Sequence, residues 1–312
     1  MRALAAALLL VVAGSARADE AFVTNQSSDD LSVVDLGSGD TLATIPIGGR
    51  PAGVAVSRDG ARVYVTSPEG KSISILDAAA RKVIGKVETG GGPLGVAVHP
   101  SGSPVYVADW YQHLIYVVDP AAGAVTGKIQ VGLSPSGLAV TPDGKLLISA
   151  DRDSNEISFI DTETRKRVGG LKVGERPFGV TIDAEGRYAY VANVATDDVS
   201  VVDLAARKVV AQPKVGERPY AVAIADGKAF VTAQYAASVS VFDVATFKSV
   251  GVIPVGDYPE GIQTSFDGKR VYVSNWFSNT VSEIDASTLK VLRDLDTGDG
   301  PRAFGTFLRK TP

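Results

Sequence analysis

A strand-and-turn unit that recurs along nearly the whole chain is the feature that most limits how this sequence can fold. Its clearest copy lies between Arg187 and Gly227. It contains strands at residues 189–193, 199–203 and about 208–215, then a Gly-x-x-Pro corner and a fourth strand that ends in Asp226-Gly227. The spacing between copies is roughly forty residues, a period typical of repeat folds built from small β-sheets. Such copies bury a continuous core only against their neighbours.

Seven copies can be aligned on the first strand. They read Phe22-Val23-Thr24-Asn25, Tyr64-Val65-Thr66-Ser67, Tyr106-Val107-Ala108-Asp109, Leu147-Ile148-Ser149-Ala150, Tyr190-Val191-Ala192-Asn193, Phe230-Val231-Thr232-Ala233 and Tyr272-Val273-Ser274-Asn275. Short β-branched and aromatic runs separated by Gly, Pro and Asp turns indicate an all-β protein. Four strands in each of seven copies predict a seven-bladed β-propeller of four-stranded antiparallel blades.

The turns between copies predict how the ring closes. Tight turns follow the fourth strand at Asp59-Gly60, Ser101-Gly102, Asp143-Gly144, Glu185-Gly186, Asp226-Gly227 and Asp267-Gly268, which makes six turns for seven copies. The C-terminal strand at residues 303–307 has no successor to turn into. We therefore expect it to join the three N-terminal strands and complete their blade, leaving no unpaired edge.

Residues 1–18 match a signal peptide, with a basic start, a short apolar run and an Ala-x-Ala site before Asp19. The apolar run is too short to span a bilayer as a stable helix. The sequence therefore predicts an exported protein, periplasmic or secreted, whose residues 19–312 form a single propeller domain without a membrane span. The chain has no Cys, which excludes disulfides and thiolate metal ligands.

The net charge of −4 becomes about −6 once the two arginines of the signal peptide are removed. Since nucleic-acid binding depends on neutralising phosphates, a mildly acidic chain without a Lys/Arg run is not expected to bind nucleic acid.

The innermost strand follows each Pro corner and carries small residues where seven strands converge on the axis. Ala55, Ala97, Ala139, Thr181, Ala223, Gln263 and Gly305 occupy this position. Gln263 is the exception, and we interpret it as a polar side chain that meets channel water.

The loops at one end of the blades supply a candidate binding face, because aromatic and Arg side chains at loop positions are typical of recognition surfaces. The predicted face consists of Trp110, Tyr111, His113, Asp151, Arg176, Phe178, Arg218, Tyr220, Tyr258, Glu260, Trp276, Phe277 and Arg302. The same loops also carry Asp109, Arg152, Asp153 and Tyr235.

Two observations within this face leave alternatives open. Trp110 and Trp276 share one repeat position, where the other copies have Gln26, Pro68, Asp151, Val194 and Gln234. They could bind a partner or simply pack against the edge of the ring. Arg176 and Arg218 each follow a glutamate, so a surface ion pair is an alternative to ligand capture.

No catalytic residues, metal site or cofactor are predicted. The two histidines, His99 and His113, fall at opposite ends of a blade, which argues against a catalytic triad or a His-based metal or haem site.

The repeat resembles the YVTN family of β-propeller repeats: Tyr-Val-Thr/Ser-Asn, then Val-Ser-Val-Val-Asp, then Gly-x-x-Pro-x-Gly-Val-Ala-Val and Asp-Gly. The resemblance covers essentially all of residues 19–310. The size, signal peptide and seven repeats also resemble the exported propellers associated with PQQ-dependent alcohol catabolism. That resemblance implies a non-enzymatic accessory protein that works beside quinoprotein dehydrogenases. Those enzymes carry a vicinal Cys pair near the cofactor, and this chain has no Cys, so the chain is not expected to be the PQQ enzyme itself.

The sequence therefore favours a periplasmic binding protein whose partner is a protein, such as a quinoprotein dehydrogenase, or a small molecule. One alternative is a hydrolase, lactonase or lyase with its site at the channel mouth, using Asp109, Asp151 or Glu260. Another is a structural or cell-surface repeat protein.

Overall fold

Short extended segments alternate with tight turns from Glu20 to Arg309, and the computed structural model arranges them as blades around a channel. It describes residues 18–311, so the predicted signal peptide lies outside the described residues except for Ala18. Within this range there are seven sheets, six of four strands and one with a short fifth strand. Inner strands of neighbouring blades contact one another around the whole ring. The predicted seven-bladed β-propeller is confirmed.

Strands are numbered in chain order. The bounds are β1 (Glu20–Asn25), β2 (Asp30–Asp35) and β3 (Thr41–Pro46) in blade 7; β4 (Gly53–Val56), β5 (Arg62–Ser67), β6 (Ser72–Asp77) and β7 (Lys82–Glu88) in blade 1; and β8 (Pro93–Val98), β9 (Val105–Asp109), β10 (Leu114–Asp119) and β11 (Ala124–Gln130) in blade 2. Blade 3 has β12 (Pro135–Val140), β13 (Leu146–Asp151), β14 (Glu156–Asp161) and β15 (Lys166–Lys172), with a 3-10 turn at Arg152–Ser154.

Blade 4 has β16 (Pro177–Ile182), β17 (Tyr188–Asn193), β18 (Asp198–Asp203) and β19 (Lys208–Ala211), and blade 5 has β20 (Pro219–Ala225), β21 (Lys228–Ala233), β22 (Ser238–Asp243) and β23 (Ser249–Pro254). Blade 6 has β24 (Pro259–Thr264), β25 (Arg270–Asn275), β26 (Thr280–Asp285) and β27 (Lys290–Asp296). The chain ends with β28 (Phe304–Thr306) and β29 (Leu308–Arg309).

The repeated residues of the second strand from the channel hold the blades together. Its aromatic position is buried, as in Tyr106, which is 0 % exposed, so the ring area is removed from water within the core. The following Thr donates its hydroxyl to the main chain of the next blade, Thr66 to the Leu94 oxygen at 2.6 Å and Thr232 to the Glu260 oxygen at 2.9 Å. These repeated residues are therefore structural.

The ring is closed by the C-terminal segment, as predicted, but the residues that pair lie slightly later than expected. Leu308 and Arg309 of β29 pair antiparallel with β1, and the Phe22 N–H donates to the Phe307 oxygen at 2.8 Å. The predicted closing stretch, residues 303–307, instead contributes β28, which runs parallel to β4 of blade 1. Gly305, whose φ is 131°, permits the unusual path of this segment.

Two side chains lock the closing segment in place. Gln263 accepts hydrogen bonds from the main-chain N–H groups of Phe307 at 2.6 Å and Leu308 at 2.8 Å, so its side-chain oxygen holds the closing segment while the residue lines the channel. Arg309 pairs with Glu20 at 2.8 Å, and both side chains are buried. Burial alone would raise the pKa of Glu20, but hydrogen bonds from Arg81 and Arg309 outweigh it and lower the pKa.

The fourth copy of the repeat, which forms most of blade 3, is shifted by one residue from the sequence alignment. Asp151 pairs with Pro135 in blade 3, as Asp109 pairs with Pro93 in blade 2. Residues 148–151 of this copy therefore correspond to residues 106–109 of the preceding copy. Arg152, and not Asp151, shares the repeat position of Trp110.

The channel has two mouths. The upper mouth is formed by the Pro corners and by the loops that follow the second strand from the channel in each blade. The lower mouth is formed by the Asp-Gly-type turns. Six of the seven predicted axial residues line the channel: Ala97, Ala139, Thr181, Ala223, Gln263 and Gly305. Ala55 is fully buried, because β28 covers it. From residue 18 to residue 311, no helix is long and apolar enough to cross a membrane.

Candidate functional site

The upper mouth contains a cavity of about 180 Å³, which we call the upper cavity. Its ten lining residues come from three positions of the repeat. The residue that follows the second strand from the channel supplies Trp110, Arg152, Val194 and Gln234. The residue before the corner Pro supplies Arg218 and Tyr258. The residue after that Pro supplies Phe178, Tyr220, Glu260 and Arg302. The cavity is thus built where the copies of the repeat differ from one another.

Three aromatic rings pack against one another at tilted or edge-on angles between the upper cavity and the rest of the channel. Phe178 lies 4.2 Å from Tyr220 and 5.0 Å from Phe304 between ring centroids, and Tyr220 lies 5.5 Å from Phe304. All three side chains are buried. We call this group the aromatic plug. Phe304 reaches it from β28, so the segment that closes the ring also seals the channel.

A buried polar network occupies one side of the cavity. Arg302 donates from Nε to Glu260 at 2.8 Å and from Nη2 to the Tyr220 hydroxyl, while Gln234 donates to the other Glu260 oxygen at 2.9 Å. The main chain beneath it is also fixed, because the Ser274 hydroxyl donates to the Arg302 oxygen at 2.8 Å. Such fully bonded networks keep a site preorganised.

Burial controls the ionisation of this network. It raises the pKa of the Glu260 carboxyl, against the opposing effects of Arg302 and Gln234, and it raises the pKa of the Tyr220 hydroxyl far above its usual range. Burial disfavours the charge of Arg302, but Glu260 and Tyr220 outweigh it and raise the pKa of the guanidinium. Arg302 therefore stays protonated, and Glu260 is the group in the cavity that responds to pH.

Arg218 is held differently from Arg302. Its guanidinium stacks 4.4 Å above the Tyr235 ring, and Nη1 donates to the Tyr235 hydroxyl at 2.8 Å. Its Nε is buried and has no hydrogen-bond partner among residues 18–311, and no described carboxylate, including that of Glu217, forms an ion pair with it. The alternative of a simple surface ion pair is therefore wrong for Arg218.

The third arginine, Arg152, lies over the Trp110 ring at 5.2 Å and pairs with Asp153, which does not line the cavity. The lining thus carries three guanidinium groups and one carboxylate. Because charges act more strongly in a partly buried site than in open water, this excess of positive charge favours an anionic ligand.

Seven of the thirteen residues predicted for the binding face line the upper cavity: Trp110, Phe178, Arg218, Tyr220, Tyr258, Glu260 and Arg302. Of the others, Tyr111 is 72 % exposed and Arg176 is also exposed, outside the cavity. His113 accepts a hydrogen bond from the Ser134 N–H at 3.0 Å and so supports the neighbouring corner.

Trp276 and Phe277 also lie outside the cavity but beside it. They continue a row of aromatic rings from Tyr258, which lies 5.9 Å from Trp276 and 5.2 Å from Phe277. Phe277 is 65 % exposed, so this row offers an aromatic surface to solvent next to the cavity.

The carboxylates considered for an enzymatic site do not meet. Asp151 is buried and accepts hydrogen bonds from Ser149, Ser158 and the Gly132 N–H, while Asp109 accepts from three main-chain N–H groups of its own loops. Both stabilise loops and neither lines the cavity. Across residues 18–311, no group of three or more His, Asp or Glu side chains is close enough together to hold a metal ion.

The predicted face omitted three lining residues, Arg152, Val194 and Gln234, and the third ring of the plug. Gln234 and Val194 share the repeat position of the two tryptophans, so the signal was present but the residue types did not stand out. Phe304 aligns with inner-strand residues such as Val96 and Ile262. No sequence signal predicts that β28 pairs with β4 of blade 1 instead of following the repeat pattern.

The fold and cavity together define a class, a seven-bladed β-propeller of YVTN-type repeats with a charged, aromatic-lined cavity at one mouth. The sequence model of a family described as YNCE-like beta-propeller matches residues 4–102 and 172–311, well over half of the chain. The chain belongs to this family. A search of curated proteins found no match.

Two solved structures show the same fold. A chain of the Kuenenia stuttgartiensis hydrazine synthase is 19 % identical, with a TM-score of 0.77 over 90 % of this chain and 99 % of that one. A functionally unknown protein from Desulfotomaculum acetoxidans DSM 771 is 15 % identical, with a TM-score of 0.78 over 92 % of this chain and 100 % of that one. At these identities the likeness concerns the fold alone.

Proposed function

We propose that this protein is a non-enzymatic binding protein whose upper cavity takes a small carboxylate. The observation that carries the proposal is Arg218, a lining guanidinium that forms no direct ion pair among residues 18–311 and that the Glu260 charge reaches only at longer range. An unpaired buried donor typically costs about 1–3 kcal/mol. A bound carboxylate would remove that cost.

The geometry of Arg218 favours a planar anion. Tyr235 occupies Nη1, which leaves Nε and Nη2 as the edge of the guanidinium that can bind both oxygens of one carboxylate. The stacking on Tyr235 fixes the plane of that edge, so little side-chain entropy is lost on binding. The aromatic plug below and Trp110 at the side suit a short apolar portion of the ligand.

Glu260 limits the size and charge of the ligand. Both of its oxygens already accept hydrogen bonds, and its charge offsets that of Arg302. The cavity then retains the charges of Arg152, partly offset by Asp153, and of Arg218. With a volume of about 180 Å³, it suits a compact mono- or dicarboxylate.

For the biological setting, we propose a periplasmic protein that is freed of residues 1–18 and acts as an accessory to quinoprotein-linked alcohol oxidation. The leader-like N-terminus and the resemblance to propellers of PQQ-dependent catabolism support this setting. Oxidation of a primary alcohol through its aldehyde ends in a carboxylate, the same chemical class that we assign to the upper cavity. The row of half-buried Tyr258 and Trp276 and exposed Phe277 is the surface we propose for a dehydrogenase partner.

Native mass spectrometry of the protein purified gently from its host tests this setting. We expect a complex with a quinoprotein dehydrogenase that is lost in the Trp276→Ala/Phe277→Ala double variant, which alters the proposed partner surface outside the upper cavity. A protein that is monomeric at every concentration, with no dehydrogenase bound, would contradict the accessory role and leave the carboxylate site to be judged by itself.

Calorimetric titration with acetate, lactate and succinate at low ionic strength tests the ligand. Arg218→Met keeps most of the side-chain stem and removes the charge. We expect about 10- to 100-fold weaker binding, which corresponds to about 1.5–3 kcal/mol for a hydrogen bond to a charged group.

Arg176→Met is the matched control, because Arg176 occupies the same repeat position one blade earlier, also has a positive φ, and lies outside the cavity. Its affinity should equal that of the unaltered protein. Equal losses in both variants would indicate a general effect of surface charge, and unchanged binding by Arg218→Met would overturn the assignment.

A further inference from the structure

The lower mouth opens into a second cavity of about 850 Å³, the lower cavity, which is larger than the upper one and lies on the other side of the aromatic plug. Phe304 lines it from above, and residues from the inner strands of all seven blades form its wall. This volume is within the range of sites that hold small organic ligands.

The wall of the lower cavity is mostly apolar. Val98, Val140, Ile182 and Ile224 line it in four consecutive blades, and each is only half-buried. Phe266 extends the apolar surface at the rim and is 49 % exposed. The apolar surface therefore comes from several blades and continues outward to the rim.

Polar side chains in the wall are turned into the protein. The Thr181 hydroxyl donates to the Val222 oxygen at 2.6 Å and the Thr264 hydroxyl to the Ile224 oxygen at 2.8 Å. The Gln263 oxygen accepts two main-chain N–H groups of the closing segment. These bonds leave methyl and methylene groups to face a ligand, and they cover main-chain oxygens that would otherwise favour water.

Charge at the rim is concentrated beside the closing segment. Arg58 and Lys310 both line the cavity, and neither side chain has an ion-pair or hydrogen-bond partner among residues 18–311. They belong to the same part of the rim, since a Cβ on Gly60 would lie 3.2 Å from the Lys310 oxygen. The nearby Asp59 is engaged in its own turn, where it accepts from Ser57 and the Ala61 N–H.

The opposite part of the rim carries acidic residues. Asp183 accepts main-chain hydrogen bonds from Arg187 and Tyr188 and is nearly buried, so Glu185 is the exposed acid there. The rim is therefore polarised, with two unpaired cations next to the closing segment and one exposed carboxylate in blade 4. An anionic head group would be directed to the first of these.

We propose that the lower cavity binds an amphipathic carboxylate, with an alkyl body along the apolar wall and its head group at Arg58 and Lys310. The plug sets the depth to which the body can reach. This site is independent of the upper cavity: the two share no lining residue, and they would take different ligands, a compact carboxylate above and a chain-bearing one below.

Calorimetric titration with decanoate and with decanol, both below the concentration at which they aggregate, tests the proposal. We expect both to bind, with decanoate about fivefold tighter, since exposed ion pairs contribute roughly 0.2–1 kcal/mol each. The double variant Arg58→Ser/Lys310→Ser should remove the preference for decanoate and leave the affinity for decanol unchanged.

Two cavity-filling variants test the location, Ala139→Phe and, with a smaller volume change, Ala97→Leu. Each should weaken decanol binding at least tenfold while the melting temperature shows a folded protein. Arg218→Met, which alters only the upper cavity, should bind decanoate normally. Undiminished decanol binding in both folded filling variants, or no binding of either probe to the unaltered protein, would overturn the proposal.

Discussion

The two mouths of the channel are built by the same seven repeats, yet they present opposite chemistry. The upper cavity is small, polar and rich in arginine, whereas the lower cavity is about 850 Å³ and mostly apolar. The difference arises from which repeat positions face each mouth. Below the plug, the axial position holds small residues in nearly every copy, while at the upper mouth the residues flanking the corner Pro change from copy to copy.

This contrast separates scaffold from site. Residues that recur, such as the Thr that bonds to the next blade, fix the distance between blades and have no free functional group. Residues that break the repeat, such as Glu260 and Arg302, have no equivalent partner in other blades and can be used for recognition. The closing segment belongs to both classes, since it carries Arg302 above, Phe304 in the plug and Lys310 below.

The largest expected effect is therefore deletion of residues 302–312, which removes part of both mouths. The loss includes β28, β29 and the buried Arg309–Glu20 pair, and it opens the ring. Since native stabilities are only about 5–15 kcal/mol, we expect the melting temperature to fall by more than about 10 °C or the fold to be lost. Calorimetry measures this, with deletion of residues 311–312 as the control. An unchanged melting temperature would contradict the closure.

Glu20→Gln should have the next largest effect, because it leaves Arg309 buried without its ionic partner. We expect a loss of about 3–5 kcal/mol in the free energy of unfolding at neutral pH, measured by denaturant titration, with little change in affinity at either cavity. The folded pKa of Glu20 is lowered, so its contribution is complete above the ordinary value of 4.5 and is lost as pH falls through the folded pKa. A loss that does not shrink in acid would contradict this role.

Glu260 should behave in the opposite way, because its folded pKa is raised. Its stabilising effect belongs to the protonated form and is lost as pH rises through the folded pKa. As pH falls toward that value, the upper cavity loses its one negative charge, so a carboxylate should bind more tightly as pH falls from neutral to mildly acidic. Titration calorimetry across this range measures the effect.

In Glu260→Gln, affinity at pH 7.5 should already match the acidic value and should vary little with pH. Glu175→Gln, which changes an exposed acid outside the cavity, is the control and should keep the full dependence. A flat profile in the unaltered protein would show that Glu260 does not govern binding.

The smallest effect sharpens the distinction between scaffold and site. Ser274→Ala and Thr66→Ala each remove one equivalent hydroxyl bond to the next blade, at 2.8 and 2.6 Å. Thr66→Ala should lose about 1–3 kcal/mol of stability, because it removes the hydroxyl bond to the buried Leu94 oxygen. Ser274→Ala should lose less, because the Gly261 N–H still donates to the Arg302 oxygen at 3.0 Å. Only Ser274→Ala should also weaken carboxylate binding, since that bond positions Arg302; equal affinities in the two variants would show that the anchor does not matter.

Most of the fold could be predicted because every copy repeats the same turn and strand signals. The register of the fourth copy could not, since Leu146, Leu147 and Ile148 are all apolar and alternation does not fix which of them faces inward. The path of β28 was missed for a related reason, as it depends on Gly305 and on hydrogen bonds to Gln263 that arise only in the closed ring.

The candidate site was predicted in part from residue type. Aromatic and Arg residues at loop positions correctly indicated Trp110 and Arg218 as lining residues of the upper cavity. The predicted face also included Asp151, which is buried and stabilises a loop because the register of its strand is shifted by one residue. It also included Arg176, because sequence position does not tell which corner side chains reach the axis. Those distinctions depend on tertiary packing of the corners.

The most direct test of the upper cavity as a carboxylate site is a crystal structure of the protein soaked with 3-bromopropionate, with anomalous data collected at the bromine edge. We predict a bromine peak within the upper cavity and a carboxylate in contact with the Nε and Nη2 edge of Arg218. A fully occupied ligand elsewhere with the upper cavity left to water, or no bound ligand at concentrations that saturate the calorimetric signal, would contradict the assignment.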